Sequence, residues 1–197
     1  CFGGSSTDYP VRLYSISSGE FEVVGFSDSI DGDLTGIKTI EDRQLWILRI
    51  DSSGAILRNN VYSIGELWDM IRVPSGGYYL FSSMVNPAYP SRSSEFTLTC
   101  IAPDGTQSWQ KFYGGSNNDE ARSFSQTNDG YLYLGGVTQS NDGDVGWYHG
   151  GNGYDVWIAK LSDRQNPLPI LITSSPDQAH SSKGDPVTIS VFGTGLS

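Results

Sequence analysis

Residues 113–161 read YGGSNNDEARSFSQTNDGYLYLGGVTQSNDGDVGWYHGGNGYDVWIAKL, and this stretch decides the fold. Ala121 to Thr127 is a first candidate strand, stopped by Asn128-Asp129-Gly130, a strong turn signal. Tyr131-Leu132-Tyr133-Leu134 follows as an unbroken apolar run, the pattern of a buried strand. A glycine-rich loop, 140–154, leads into a third strand, Val156-Trp157-Ile158-Ala159-Lys160-Leu161. A fourth shows best just upstream, where Thr106 to Tyr113 follows the turn Asp104-Gly105. The unit is four short strands joined by turns.

The same unit opens the chain. Displaced by 111 positions, Phe2-Gly3-Gly4-Ser5 falls on Tyr113-Gly114-Gly115-Ser116, and Asp8 on Asp119. Without a gap, Gly19 meets Gly130, Gly25 meets Gly136, and Ser29 meets Ser140. Asp31-Gly32-Asp33 then meets Asp142-Gly143-Asp144, and Trp46-Ile47 meets Trp157-Ile158. Between the two lies a degraded copy. Ser75-Gly76-Gly77-Tyr78 resembles Asn128-Asp129-Gly130-Tyr131, and Pro103-Asp104-Gly105 resembles Asp51-Ser52-Ser53-Gly54, but Asn86-Pro87-Ala88-Tyr89-Pro90 replaces the Asp-Gly-Asp element. The repeats are read at 1–58, 59–112 and 113–164. Repetition of a four-stranded unit at this length is the sequence form of a β-propeller blade. From Asn166 the pattern changes: Pro167 and Pro169 suit a linker, and two further strand signals make 165–197 the start of another β domain.

Composition narrows the function. Acidic residues number 22 against 12 basic, giving a net charge of −10. Such a chain lacks the Lys and Arg clusters that bind phosphate backbones or anionic membrane surfaces, so nucleic acid is not an expected partner. No apolar run approaches the ~20 residues of a membrane helix. Helix is expected to be scarce, because no long window carries the 3.6-residue apolar period.

The ordered elements Tyr113-Gly114-Gly115-Ser116, Asp119, Asp129-Gly130-Tyr131, Asp142-Gly143-Asp144 and Asp155-x-Trp157-Ile158-x-Lys160-Leu161 resemble the repeat of secreted bacterial β-propellers. Pro176, Gly184 and Val187-Thr188-Ile189 resemble the first third of an immunoglobulin-like TIG domain. The resemblance implies an all-β, extracytoplasmic module at a bacterial surface. It implies a non-catalytic role in binding, adhesion or assembly, with a surface protein or glycan as partner. The alternative is the propeller portion of a carbohydrate-active enzyme whose catalytic residues lie outside this chain. Propellers typically close with about four to eight blades. Three repeats therefore suggest a segment of a longer chain, or subunits that complete the ring.

Three groups of residues are candidates for chemistry. Asp31 and Asp33, with Asp142 and Asp144, could converge on Ca²⁺, which takes oxygen ligands; the competing reading is an Asx-stabilised glycine turn. Trp147, Tyr148 and Tyr154 occupy a glycine-rich loop, where aromatics have little core to fill and are candidates for ligand contact. Trp46 and Trp157 lie in strands and are read as core, with sugar stacking as the alternative. Asp8 and Asp119 are read as turn aspartates. His149 and His180 lack companions at zinc spacing, and no nucleophile elbow is present. Cys1 admits two readings, a lipidated mature N-terminus or a disulfide to Cys100; Cys100 itself reads as a buried free thiol.

Overall fold

The computed structural model describes residues 1–161 except Ser18, Glu41, Ser75, Arg92, Asn128 and Asp129, plus short backbone stretches at 169–170, 172–173 and 190–191. Those residues contain strands, turns and one 3-10 turn, Gly32–Leu34, and no α-helix. Among them no helix is long and apolar enough to cross a membrane. The chain divides into two units, Cys1–Ile64 and Gly65–Ser197.

The first unit is one antiparallel meander of β1 (Asp8–Ser17), β2 (Glu20–Ser27), β3 (Gln44–Asp51) and β4 (Ile56–Tyr62), paired in that order. The last strand runs past residue 58, so the physical unit is longer than the sequence repeat drawn over 1–58. On β3, Leu45, Trp46, Ile47 and Leu48 are all buried, which explains an unbroken apolar run in place of alternation. Leu34, from the 3-10 turn, packs with Trp46 and Leu48 and anchors the long β2–β3 loop to the sheet.

The second unit holds two such meanders. One is β5 (Glu66–Arg72), β6 (Tyr78–Val85), β7 (Ser94–Ile101) and β8 (Gln107–Tyr113). The other is β9 (Asp119–Gln126), β10 (Leu132–Thr138), β11 (Asp155–Leu161) and the two-residue β12 (Pro169–Ile170). The polypeptide expected to be linker thus supplies the fourth strand of the third sheet. A further pair, β13 (Ile172–Thr173) with β14 (Ser190–Val191), is antiparallel. The rest of the TIG-like reading, with His180, Pro176, Gly184 and Val187 to Ile189, lies outside the described residues.

The two tryptophans occupy like register positions in the first and third sheets. Trp46 stands opposite Gly25 across β2 and β3, and Trp157 opposite Gly136 across β10 and β11. Both tryptophans are buried. The Trp46 indole N–H donates to the Asn59 side-chain oxygen at 2.6 Å. Trp157 packs against the Phe96 ring with centres 4.5 Å apart. Both sit in core, as read from the sequence, and Trp46 also lines a cavity on the first sheet.

The second sheet lays one face on the third. Tyr79, Phe81, Phe96 and Leu98 form a single buried cluster with Leu134, Trp157, Ala159 and Leu161. Phe81 meets Phe96 edge-on at 5.3 Å, an arrangement that aligns ring edge with ring face. Gly136 is required here, because a Cβ would collide with the Glu120 carbonyl and lie 2.6 Å from the Phe96 ring. Asp69 stitches the same interface from β5, accepting from the Ser123 hydroxyl at 2.9 Å and the Phe124 N–H at 3.1 Å.

Candidate functional site

The Gly-Gly-Ser and Asp-Gly-Asp elements meet, and they do so identically in both units. In the first, three successive amides point at three carboxylates: Gly3 N–H donates to Asp33 at 2.8 Å, Gly4 N–H to Asp8 at 2.9 Å and Ser5 N–H to Asp31 at 2.7 Å. Ser6 N–H donates to the Ser29 hydroxyl at 3.0 Å. In the other unit Gly114, Gly115, Ser116 and Asn117 donate to Asp144, Asp119, Asp142 and Ser140 at 3.2, 2.8, 2.7 and 3.0 Å. In each unit four successive N–H groups are thus held by three carboxylates and one serine hydroxyl, forming a clasp.

The central glycine of each Asp-Gly-Asp is a backbone necessity. Gly32 has φ +61° and Gly143 φ +65°, and a Cβ on either would strike the carbonyl of Gly3 or Gly114. Such a turn places both flanking carboxylates on the amides of the facing segment. The like charges crowded there are offset by N–H donors 26 to 30 residues away in sequence, so these aspartates join two segments of chain where a local Asx turn was the expectation. Among the described residues no group of three or more His, Cys, Asp or Glu converges as metal ligands.

Equivalent aspartates differ in their electrostatics. Burial pushes the Asp119 carboxyl up, against hydrogen bonds from Thr138, Gly115 and Ser140. It is fully buried. Asp8 is also pushed up by burial, but hydrogen bonds from Ser27, Gly4 and Ser29 and the charge of Lys38 outweigh that and hold it below the ordinary value. Lys38 is 3% exposed and its ammonium has no hydrogen-bond partner among the described residues. Burial likewise raises Asp144, whereas hydrogen bonds from Ser5 lower Asp31.

The aromatic loop splits into two parts. Trp147 meets the His149 ring at 3.9 Å, and His149 Nδ1 lies 2.9 Å from Asp155. Tyr148 donates its hydroxyl to the Gly153 carbonyl at 2.7 Å, closing the glycine-rich turn on itself. Tyr154, 46% exposed, reaches away: its hydroxyl donates to Glu120 at 3.1 Å and accepts from Asn118 at 2.7 Å.

From Glu120 an exposed polar array continues. Arg122 pairs with Glu120 at 2.5 Å and lies over the Trp68 ring at 4.3 Å. Arg122 is the chief cause that holds the Glu120 carboxyl below its ordinary value. The surface therefore runs Trp68, Arg122, Glu120, Tyr154, Asn118, with two aromatic rings flanking a carboxylate, a guanidinium and an amide. Sequence reasoning found only Tyr154 of these. Trp68 and Arg122 are more than fifty positions apart and meet only because β9 packs against β5. The single advance signal was alternation on β9, which sends Glu120 and Arg122 to the same side.

Both cysteines are free thiols, Cys1 exposed and Cys100 half-buried in a strand. Burial raises the Cys100 thiol, which fits a packing role. No protein-family model matches this chain, and no curated protein matches it.

Proposed function

We propose that the chain is a run of propeller-type blades acting as a non-catalytic binding module outside the cytoplasm, with the Trp68–Tyr154 surface as its ligand face. The observation that carries this reading is the Trp68–Arg122–Glu120–Tyr154–Asn118 array. It combines exposed rings with donors and acceptors held by neighbouring side chains, the chemistry that recognises a polyhydroxylated glycan. Three meanders in series, the second laid on the third, support the blade reading. The alternative is the propeller portion of a carbohydrate-active enzyme whose catalytic residues lie outside this chain; within the described residues the carboxyls that burial pushes up, Asp119 and Asp144, accept from backbone amides. The Asp31, Asp33, Asp142 and Asp144 carboxylates each accept an N–H group, which supports a role in closing the loops ahead of calcium binding.

The test is binding of the chain to an oligosaccharide array, with Trp68→Ala and Tyr154→Ala as variants. Retained fold with signal lost at least roughly tenfold in each, about 1.4 kcal/mol of contact, is the expected result. Variants that bind the same glycans as strongly as the parent would move the site elsewhere.

A further inference from the structure

The seat that Phe96 fills on the third sheet has a counterpart on the first sheet that stands open among the described residues. Tyr113, Glu120, Ala121, Leu134, Gly136, Trp157 and Ala159 correspond to Phe2, Tyr9, Pro10, Val23, Gly25, Trp46 and Leu48 under the repeat. In the second unit the Phe96 ring lies against Gly136 and Trp157. In the first unit a cavity of about 160 Å³, lined by Phe2, Val23, Gly25, Trp46 and Leu48 among others, occupies that place.

The matching projection is also on this chain, at the far side of the third sheet. Gly76 N–H bonds to the Val73 carbonyl as Gly130 N–H bonds to Thr127, which aligns β6 with β10 and corrects by one residue the sequence pairing of Gly77 with Gly130. Ser82 then matches Gly136, and their cross-strand partners Thr97 and Trp157 match. One residue earlier, Val156 stands where Phe96 stands, and Ile158 where Leu98 stands. Phe96 and Leu98 are fully buried, whereas Val156 is 78% and Ile158 44% exposed. Tyr133 completes that face at the position of Tyr79.

We propose that a second copy of this chain covers the cavity: the Val156–Ile158 face of one molecule docks on the Gly25–Trp46 face of another. The contact repeats between molecules the packing of second sheet on third inside the chain. It is driven by the same burial of aliphatic and aromatic surface. Donor and acceptor faces differ, so the association is heterologous and runs head to tail. It does not depend on the glycan reading, because none of its residues belongs to the Trp68–Tyr154 surface.

Sedimentation velocity of the 197-residue chain across the micromolar range tests this. The parent is expected to grow with concentration, and Val156→Glu/Ile158→Glu to remain monomeric with an unchanged circular dichroism spectrum. Val156→Phe, which restores the ring present in the internal interface, should tighten association roughly tenfold. Val23→Arg, reaching across the cavity, should also be monomeric, and mixing it with the double variant should give a heterodimer that grows no further. A parent and a Val156→Phe variant that both stay monomeric would overturn the proposal. So would a double variant that associates like the parent. If the parent associates but the mixture forms no heterodimer, the head-to-tail pairing is wrong.

Discussion

The Ser29 hydroxyl donates to the Asp8 carboxylate at 3.0 Å, and Ser140 makes the same bond to Asp119 at 2.9 Å. Each bond ties the loop leaving one strand to the start of its neighbour. Each serine also accepts from the amide that follows the Gly-Gly-Ser segment, Ser6 or Asn117, so one hydroxyl makes two bonds to the facing stretch of chain.

Asp119→Ala should destabilise the second unit strongly. Removing the carboxylate leaves the Gly115 N–H and the Ser140 and Thr138 hydroxyls without their acceptor in a buried site. Unmade buried hydrogen bonds cost about 1–3 kcal/mol each, so a loss on the order of 2 kcal/mol or more is expected. Urea denaturation measures it. A midpoint equal to the parent's would show that the clasp adds little stability.

Asp142→Ala/Asp144→Ala should lower the melting temperature by the same amount in EDTA and in millimolar calcium. The carboxylates accept from Ser116 and Gly114, so their loss is a loss of amide partners. A calcium-dependent rise in the parent's melting temperature that the double variant lacks would restore the metal reading.

Acidification should affect the two clasps in opposite directions. Burial raises Asp119, so its contribution is complete below the unfolded value of about 3.9 and is lost as pH rises through the raised folded value. Asp8 is lowered, so its contribution is present above about 3.9 and is lost as pH falls through the lowered folded value. Amide exchange read separately at Gly3–Gly4 and Gly114–Gly115 should show the second clasp tightening from neutral to mild acid. The first should hold there and loosen only in stronger acid. Parallel behaviour of the two would contradict the assigned shifts.

Gly136→Ala should cost about 1–3 kcal/mol by forcing the Phe96 ring and the β9 backbone aside. Gly136→Ala combined with Phe96→Ala tests the cause. Strict additivity would mean that the ring is not what the glycine accommodates.

Much of this was legible in order along the chain. Turn glycines, the two Asp-Gly-Asp elements and the equivalence of Trp46 with Trp157 follow from residues that repeat at a fixed interval, and local turn chemistry places the strands between them. Three antiparallel sheets were therefore readable, as was the burial of the tryptophans. What faces what was not. The four aspartates read first as turn formers and second as calcium ligands, because sequence does not show where the Gly-Gly-Ser amides point. Only the fold brings Gly3 within hydrogen-bond distance of Asp33, thirty residues on. The Trp68–Arg122 contact and the seat of Phe96 on Gly136 likewise arise from packing of one sheet on another. Periodicity within a strand fixes which side chains share a face, but the partner of that face is chosen by shape and burial across distant segments. The sequence by itself determined the repeated unit and its turns; tertiary structure decided the clasp, the polar surface and which apolar face was left open.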